Sequence, residues 1–347
     1  MKPEWKQYLE GRGAEFDQDH LIHFGNEVRE RRFVRNGNLI TDLSVYGLIS
    51  VRGEDAEQFL QGQLTNDVRM VDEHTAQYSA YCSPKGRVLT CLTIFKRQDC
   101  YFLQLPRSLL EATLTRLRMF VINAKVTLED ASDSLIHIGC SGPDIKVDLR
   151  SVTDVLPEQI WQCTNTGNTT IIRIPGQIPR YEVICELAQS EKIWTALDVR
   201  AAPAGSFAWE MLDVDNGIPT IYPDTSDAFV PQMLNMQLFD AVSFKKGCYA
   251  GQEIVARMQY LGKLKRRLYK AHTADGTQPT IGMGLYAAES SSGQGAGKVV
   301  NVQASPPDGY DLLVVVEINS QKDDTLHLES ENGPVLEFSP LPYPFDN

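Results

Sequence analysis

Seven cysteines occur in 347 residues, and one stands in a setting unlike the others. The run Ser243-Phe244-Lys245-Lys246-Gly247-Cys248-Tyr249-Ala250-Gly251-Gln252-Glu253-Ile254-Val255-Ala256-Arg257 puts two lysines before Cys248, a glycine on each side and a helix-forming segment after it. A thiol on a glycine-shaped turn, beside cations and near a helix N-terminus, is favoured as thiolate, the form that attacks electrophiles and binds metals. Gly247 and Gly251 let the backbone approach a ligand closely. The plainer alternative is a turn with an incidental buried cysteine, and composition alone leaves both open.

Residues 244–270 hold eight Lys+Arg and one acid, Glu253, in a chain of net charge −12. Such a stretch is either a solvated linker or an anion site for phosphate or a polycarboxylate tail. A second cluster is Trp209-Glu210-Met211-Leu212-Asp213-Val214-Asp215-Asn216-Gly217-Ile218-Pro219. An aromatic plus a buried carboxylate suits a planar heterocycle, whose ring stacks and whose N–H groups donate to the carboxylate. A core tryptophan with surface acids has the same sequence.

Other patterns carry less. Gly293-Gln294-Gly295-Ala296-Gly297-Lys298 lacks the spacing and the Ser/Thr of a phosphate loop, and Val299-Val300 follows where a helix should open, so a hairpin loop is expected. No Cys-x-x-Cys occurs and the six histidines have no ligand spacing, so no metal site is expected. An odd number of cysteines without such spacing points to free thiols in a reducing cytoplasm. Met1 to Phe16 has charges throughout and no apolar core, unlike a signal peptide, and the longest aliphatic run, Leu312 to Val316, is far short of a membrane span. The acidic balance argues against non-specific duplex DNA binding by the whole molecule.

The elements that must position these residues fall into three stretches. Residues 1–40 are polar, with the cluster Arg29, Arg31, Arg32 and Arg35, and are expected to form a solvated N-terminal extension. Residues 41–265 mix strands and helices. Strand patterns run over 43–51, 76–82, 87–97, 100–105, 134–140, 170–174 and 181–186. Helical spacing follows Gly53, follows Pro106 through Leu109, Leu110, Leu114 and Leu117, and covers 145–152 and 191–199. Without regular βα alternation this is an α+β body. Residues 266–347 hold 11 acids and two bases from 271 onward, with six short strand patterns punctuated by Gly, Pro, Ser and Asp. That predicts a small barrel or sandwich.

Lys246-Gly247-Cys248-Tyr249-Ala250-Gly251-Gln252-Glu253 resembles the signature of the YgfZ family of folate-binding, tRNA-modifying proteins, relatives of the glycine-cleavage T protein. Phe59-Leu60-Gln61-Gly62-Gln63-Leu64-Thr65-Asn66-Asp67, Ser83-Pro84-Lys85-Gly86-Arg87, Leu212 to Pro219, Phe229-Val230-Pro231-Gln232, Leu326-His327-Leu328 and Pro340-Leu341-Pro342-Tyr343 resemble further family stretches. The resemblance implies two interleaved α/β modules forming a folate-binding body and a C-terminal six-stranded β-barrel. It implies tetrahydrofolate or a one-carbon derivative as ligand, and a role in maintaining iron–sulfur enzymes, among them a tRNA methylthiolation enzyme. Trp209 falls at a family tryptophan linked to folate, Tyr46 where a second would lie, and Asp215, one methylene shorter, where the superfamily has a pterin-binding glutamate. The candidate folate set is Trp209, Tyr46, Asp215, Asn66, Asp67, Tyr249, Gln252, Glu253 and Arg257. Cys248 is the candidate reactive thiol, with Lys246 beside it.

Aminomethyltransferases resemble one another in a Gly-Gly-x-x-Asp-Asp stretch whose aspartate serves transfer. Here the stretch is Gly86-Arg87-Val88-Leu89-Thr90-Cys91, without a carboxylate. The expectation is therefore not a glycine-cleavage enzyme but a folate-dependent accessory factor for iron–sulfur assembly or repair, with iron–sulfur client proteins or tRNA-modifying enzymes as partners. A one-carbon transferase on an unknown amine, using Asp67 or Asp215, and a binding module that holds folate or RNA without chemistry are the alternatives.

Overall fold

The computed structural model describes residues 1–274, 277–288, 290, 295–323 and 325–344. The chain forms two compact units that interleave in sequence: 1–59, 69–77 and 93–212 make the first, and 60–68, 78–92 and 213–347 the second.

In the first unit a six-stranded sheet has the order Cys163–Thr166, Thr169–Ile174, Arg180–Cys185, Ile136–Ser141, Leu39–Asp42 and Ala202–Pro203. Its pairings are antiparallel except the last, which is parallel. Period-2 alternation sends Tyr181, Val183 and Cys185 to one core cluster and Ile184 to another, so this sheet is covered on both faces. In the same unit Tyr46–Arg52 pairs antiparallel with Cys100–Pro106 and with Thr127–Asp130, and Cys100–Pro106 pairs with the end of Val88–Arg97. Helix Arg107–Arg118 lies on Tyr46–Arg52, where the bare Cα of Gly47 makes room for Leu110: a Cβ there would sit 2.6 Å from Leu110 Cδ1. The expected strands and helices of this region appear with ends shifted by a few residues.

Residues 1–40 are not a solvated extension. Helix Pro3–Glu10 buries Trp5 and Leu9 completely. Trp5 Nε1 donates to Asp42 Oδ1 at 2.7 Å, and its ring meets Trp194 edge-on at 5.6 Å. Of the arginine cluster, Arg31 is engaged, while Arg29 and Arg32 are exposed. Arg31 grips Glu27 through Nε and Nη2 and lies 4.1 Å over the Phe207 ring.

The second unit holds the six expected C-terminal strands as one antiparallel sheet, in the order His327–Leu328, Gly284–Tyr286, Gly297–Ala304, Tyr310–Glu317, Arg266–Thr273, Glu337–Ser339. It curls into a half-barrel. Its two edges meet through a few backbone bonds, Leu328 N to Pro334 O and Leu336 N to Leu326 O, both 2.9 Å, rather than through a full ladder. Residues 293 and 294 of the expected hairpin loop lie outside the described residues; Gly295 and Ala296 lead directly into the strand Gly297–Ala304.

Candidate functional site

In the second unit three stretches far apart in sequence converge on Cys248. Lys246 is only 7% exposed. Its Nζ donates to Leu64 O at 2.6 Å and Asn66 O at 2.7 Å, and it lies 5.1 Å over the Tyr249 ring. Ser243 N donates to Thr65 O at 3.0 Å. Thr65 Oγ1 donates to Ala241 O at 2.9 Å, and Asn66 Nδ2 to Asp240 O at 2.6 Å and Tyr78 O at 3.0 Å. Asn66 Oδ1 accepts from Asp67 N, and Asp67 Oδ1 accepts from Gln61 Nε2, each at 2.9 Å. Leu64 to Asp67 thus forms a cradle, and the segment before Cys248 is pinned into it.

The third stretch is the turn Ser83 to Gly86. Gly251 opens helix Gln252–Tyr260 at φ +82, and a Cβ there would sit 2.4 Å from Ser83 O and 2.7 Å from Gly86 Cα. Gly86, at φ +67, leaves the space that Ile254 fills. Gly251 is therefore required twice, for its left-handed backbone and for the close approach. Gln252 Nε2 donates to Gly247 O at 3.3 Å. Glu253 and Arg257 are exposed on the helix.

Cys248 is exposed, and the other six cysteines are buried. Burial pushes the Cys91, Cys163 and Cys185 thiols up to about 12, and those of Cys82, Cys100 and Cys140 upward as well. The buried Tyr249 hydroxyl moves in the same direction, first through desolvation. Cys248 is thus the one thiol of the seven that is open to solvent.

The remaining candidates lie elsewhere. Asp215 is held by Lys270 Nζ at 2.6 Å in the second unit, so its carboxylate already has a cation. In the first unit Trp209 is 2% exposed, with the Arg180 guanidinium 4.2 Å over its ring and Gly139 tight against its edge. It is a covered core ring rather than an open stacking platform. Tyr46 is half-buried and packs on the same cluster as Trp209.

Thr90 is fully buried with Oγ1 donating to Cys91 O, and neither residue brings a carboxylate to that position. Two glutamines escape a motif reading: the buried Gln77 Nε2 and Gln104 Oε1 have no partner in the first unit. Gln104 is opposite Leu48, and Tyr46 is two residues along that strand, so Gln104 and Tyr46 share one face of the sheet. A glutamine within an apolar strand is the only sequence trace of such a position.

A cavity of about 1020 Å³ also lies in the first unit, lined by Arg52, Lys96, Arg97, Tyr101, Asn168 and Glu57 among others, and by none of the candidate residues. Among the described residues no group of three or more His, Cys, Asp or Glu is arranged to hold a metal ion. No described helix is long and apolar enough to cross a membrane.

The fold defines the class. The structure matches a glycine cleavage system aminomethyltransferase T from Bartonella henselae with a TM-score of 0.77, covering 98% of this chain and 97% of that one at 16% identity. The profile of the GCVT N-terminal domain matches residues 12–246. The chain is 31% identical over 304 residues to the tRNA-modifying protein YgfZ of Enterobacter sp. (strain 638), covering 88% of this chain and 93% of the relative. It is 36% identical over 231 residues to that of Colwellia psychrerythraea, covering 66% and 70%. It belongs to the YgfZ family of GCVT-domain proteins.

Proposed function

We propose that the chain binds a reduced folate, tetrahydrofolate or a one-carbon derivative, and supports tRNA modification by assisting assembly or repair of iron–sulfur enzymes, with Cys248 as its working thiol. The observation that carries this reading is the contrast among the cysteines: six are buried and Cys248 alone is presented to solvent, on a turn pinned by Lys246 and Gly251.

A pterin ring carries both N–H donors and acceptor atoms on its edge. The unpartnered donor Gln77 Nε2 and acceptor Gln104 Oε1 suit such a group, and Tyr46, on the face of Gln104, offers an aromatic surface. These residues hold and orient the ligand; the bound folate supplies one-carbon chemistry. Trp209 acts at one remove, as a member of the packed cluster on which Tyr46 lies. In the second unit Lys246 spends its charge on two carbonyls, so its role is to hold the turn rather than to move a proton. The buried Thr90 and Cys91 favour an accessory role over aminomethyl transfer.

The test is replacement of the gene by a Cys248→Ser allele in a deletion strain, scored by tRNA methylthiolation and by iron–sulfur enzyme activity. Loss of both, with folate binding to the purified variant retained, is expected. Full restoration by Cys248→Ser overturns the working-thiol reading. Absence of folate binding by wild-type protein overturns the ligand assignment.

A further inference from the structure

The eight cations of residues 244–270 are not equivalent once folded. Lys246 is buried on carbonyls, Arg266 pairs with Glu317, Lys270 pairs with Asp215, and Arg267 is half-buried. Lys245, Arg257, Lys263 and Lys265 remain exposed, with no ion pair to a described residue. The same segment also exposes apolar groups. Tyr260 is 69% and Leu261 84% exposed, and Phe244 meets the Tyr260 ring edge-on at 5.9 Å.

Helical spacing puts Arg257 and Tyr260 on one side of the helix, while Val255 is buried on the opposite side with its carbonyl accepting from Gln232 Nε2. The helix end is closed by Leu261 N and Gly262 N, both donating to Arg257 O, which fixes where Leu261 and the lysines after it emerge. Exposed cations and an exposed ring on one short segment of an acidic protein are complementary to an anionic ligand that also offers flat groups to stack.

We propose that this face, Lys245, Arg257, Tyr260, Lys263 and Lys265, is a contact surface for single-stranded RNA. The cations take consecutive phosphates, and the exposed Tyr260 ring, backed by Phe244, takes an unstacked base. An extended strand with bases free to stack matches a mixed cation and aromatic face better than duplex does, because duplex hides its bases. The surface goes beyond the folate and thiol reading and needs neither.

The experiment titrates the full chain, free of folate, into a labelled unmodified tRNA transcript and a short oligouridylate. Salt runs from about 50 to about 300 mM. Four phosphate contacts predict a log–log slope of about −2 to −3. The double variant Lys263→Glu/Lys265→Glu is expected to halve that slope roughly, and Tyr260→Ala to weaken binding about tenfold. All three side chains are exposed, so circular dichroism should be unchanged.

Absence of RNA binding at the lowest salt, or binding that ignores both variants, overturns the proposal. So does equal binding of a polyglutamate peptide with Tyr260→Ala silent, which assigns the face to an acidic protein segment. Folate titration and Cys248 alkylation on the same variants report separately on the earlier reading.

Discussion

Lys246 stands two residues from the thiol, where a motif reading assigns chemistry to its charge. Its ammonium is instead a buried clamp on Leu64 O and Asn66 O. Removing it leaves two inward-facing carbonyls without their charged donor, a loss worth about 2–4 kcal/mol. Lys246→Met should therefore destabilise the protein by that amount, read as a lower urea midpoint, and make Cys248 alkylation heterogeneous; an unchanged midpoint would contradict the clamp.

His137 makes a second residue-scale case. It is buried in the strand Ile136–Ser141, both ring nitrogens lack partners, and burial, then Arg97, drives its pKa down to about 3. The folded state refuses a proton that the unfolded chain accepts near 6.5. Stability is therefore whole above pH 6.5 and is lost as pH falls toward 3, by up to about 1.4 kcal/mol per unit. His137→Leu should flatten the fall in urea midpoint between pH 7 and 4.5. Equal slopes in both proteins would remove His137 as the cause.

At the scale of elements, the turn carrying Cys248 is built by two glycines with different duties. Gly251 combines φ +82 with a Cβ position only 2.4 Å from Ser83 O, whereas Gly247 has open space around it. Gly251→Ala should cost about 2 kcal/mol or more and disturb the start of helix Gln252–Tyr260, while Gly247→Ala should change stability by under about 0.5 kcal/mol. Thermal midpoints compare the two directly, and equal shifts would refute the distinction. The strands and helices themselves were readable because local periodicity and Pro106 or Gly53 mark them. The C-terminal strands were readable for the same reason, and the partial closure of their sheet was not, since it turns on bonds between 326–328 and 334–336.

For the molecule as a whole, the N-terminal segment changes from an appendage into a wall of the core. Polar residues dominate it, and that composition suits a solvated arm. Trp5 and Leu9 nonetheless vanish beneath the surface against Asp42 and Trp194. Trp5→Ala should destabilise the protein by about 3–5 kcal/mol, as emptying a core aromatic site does. A solvated arm would lose almost nothing, so the unfolding midpoint discriminates.

The sequence alone determined the α+β class, the six terminal strands, the special setting of Cys248 and the lack of a carboxylate at Thr90 and Cys91. These depend on side-chain period, on residue type at one position, or on a contiguous motif. Only the tertiary structure decided what Lys246 holds, that Trp209 is roofed by Arg180, that Asp215 is claimed by Lys270, and which cations of 244–270 stay exposed. Each of those facts is a contact between residues that chain order does not make neighbours. The Lys246 partners precede it by 182 and 180 residues. A charge states what it could bind; burial and the nearest opposite dipole decide what it does bind.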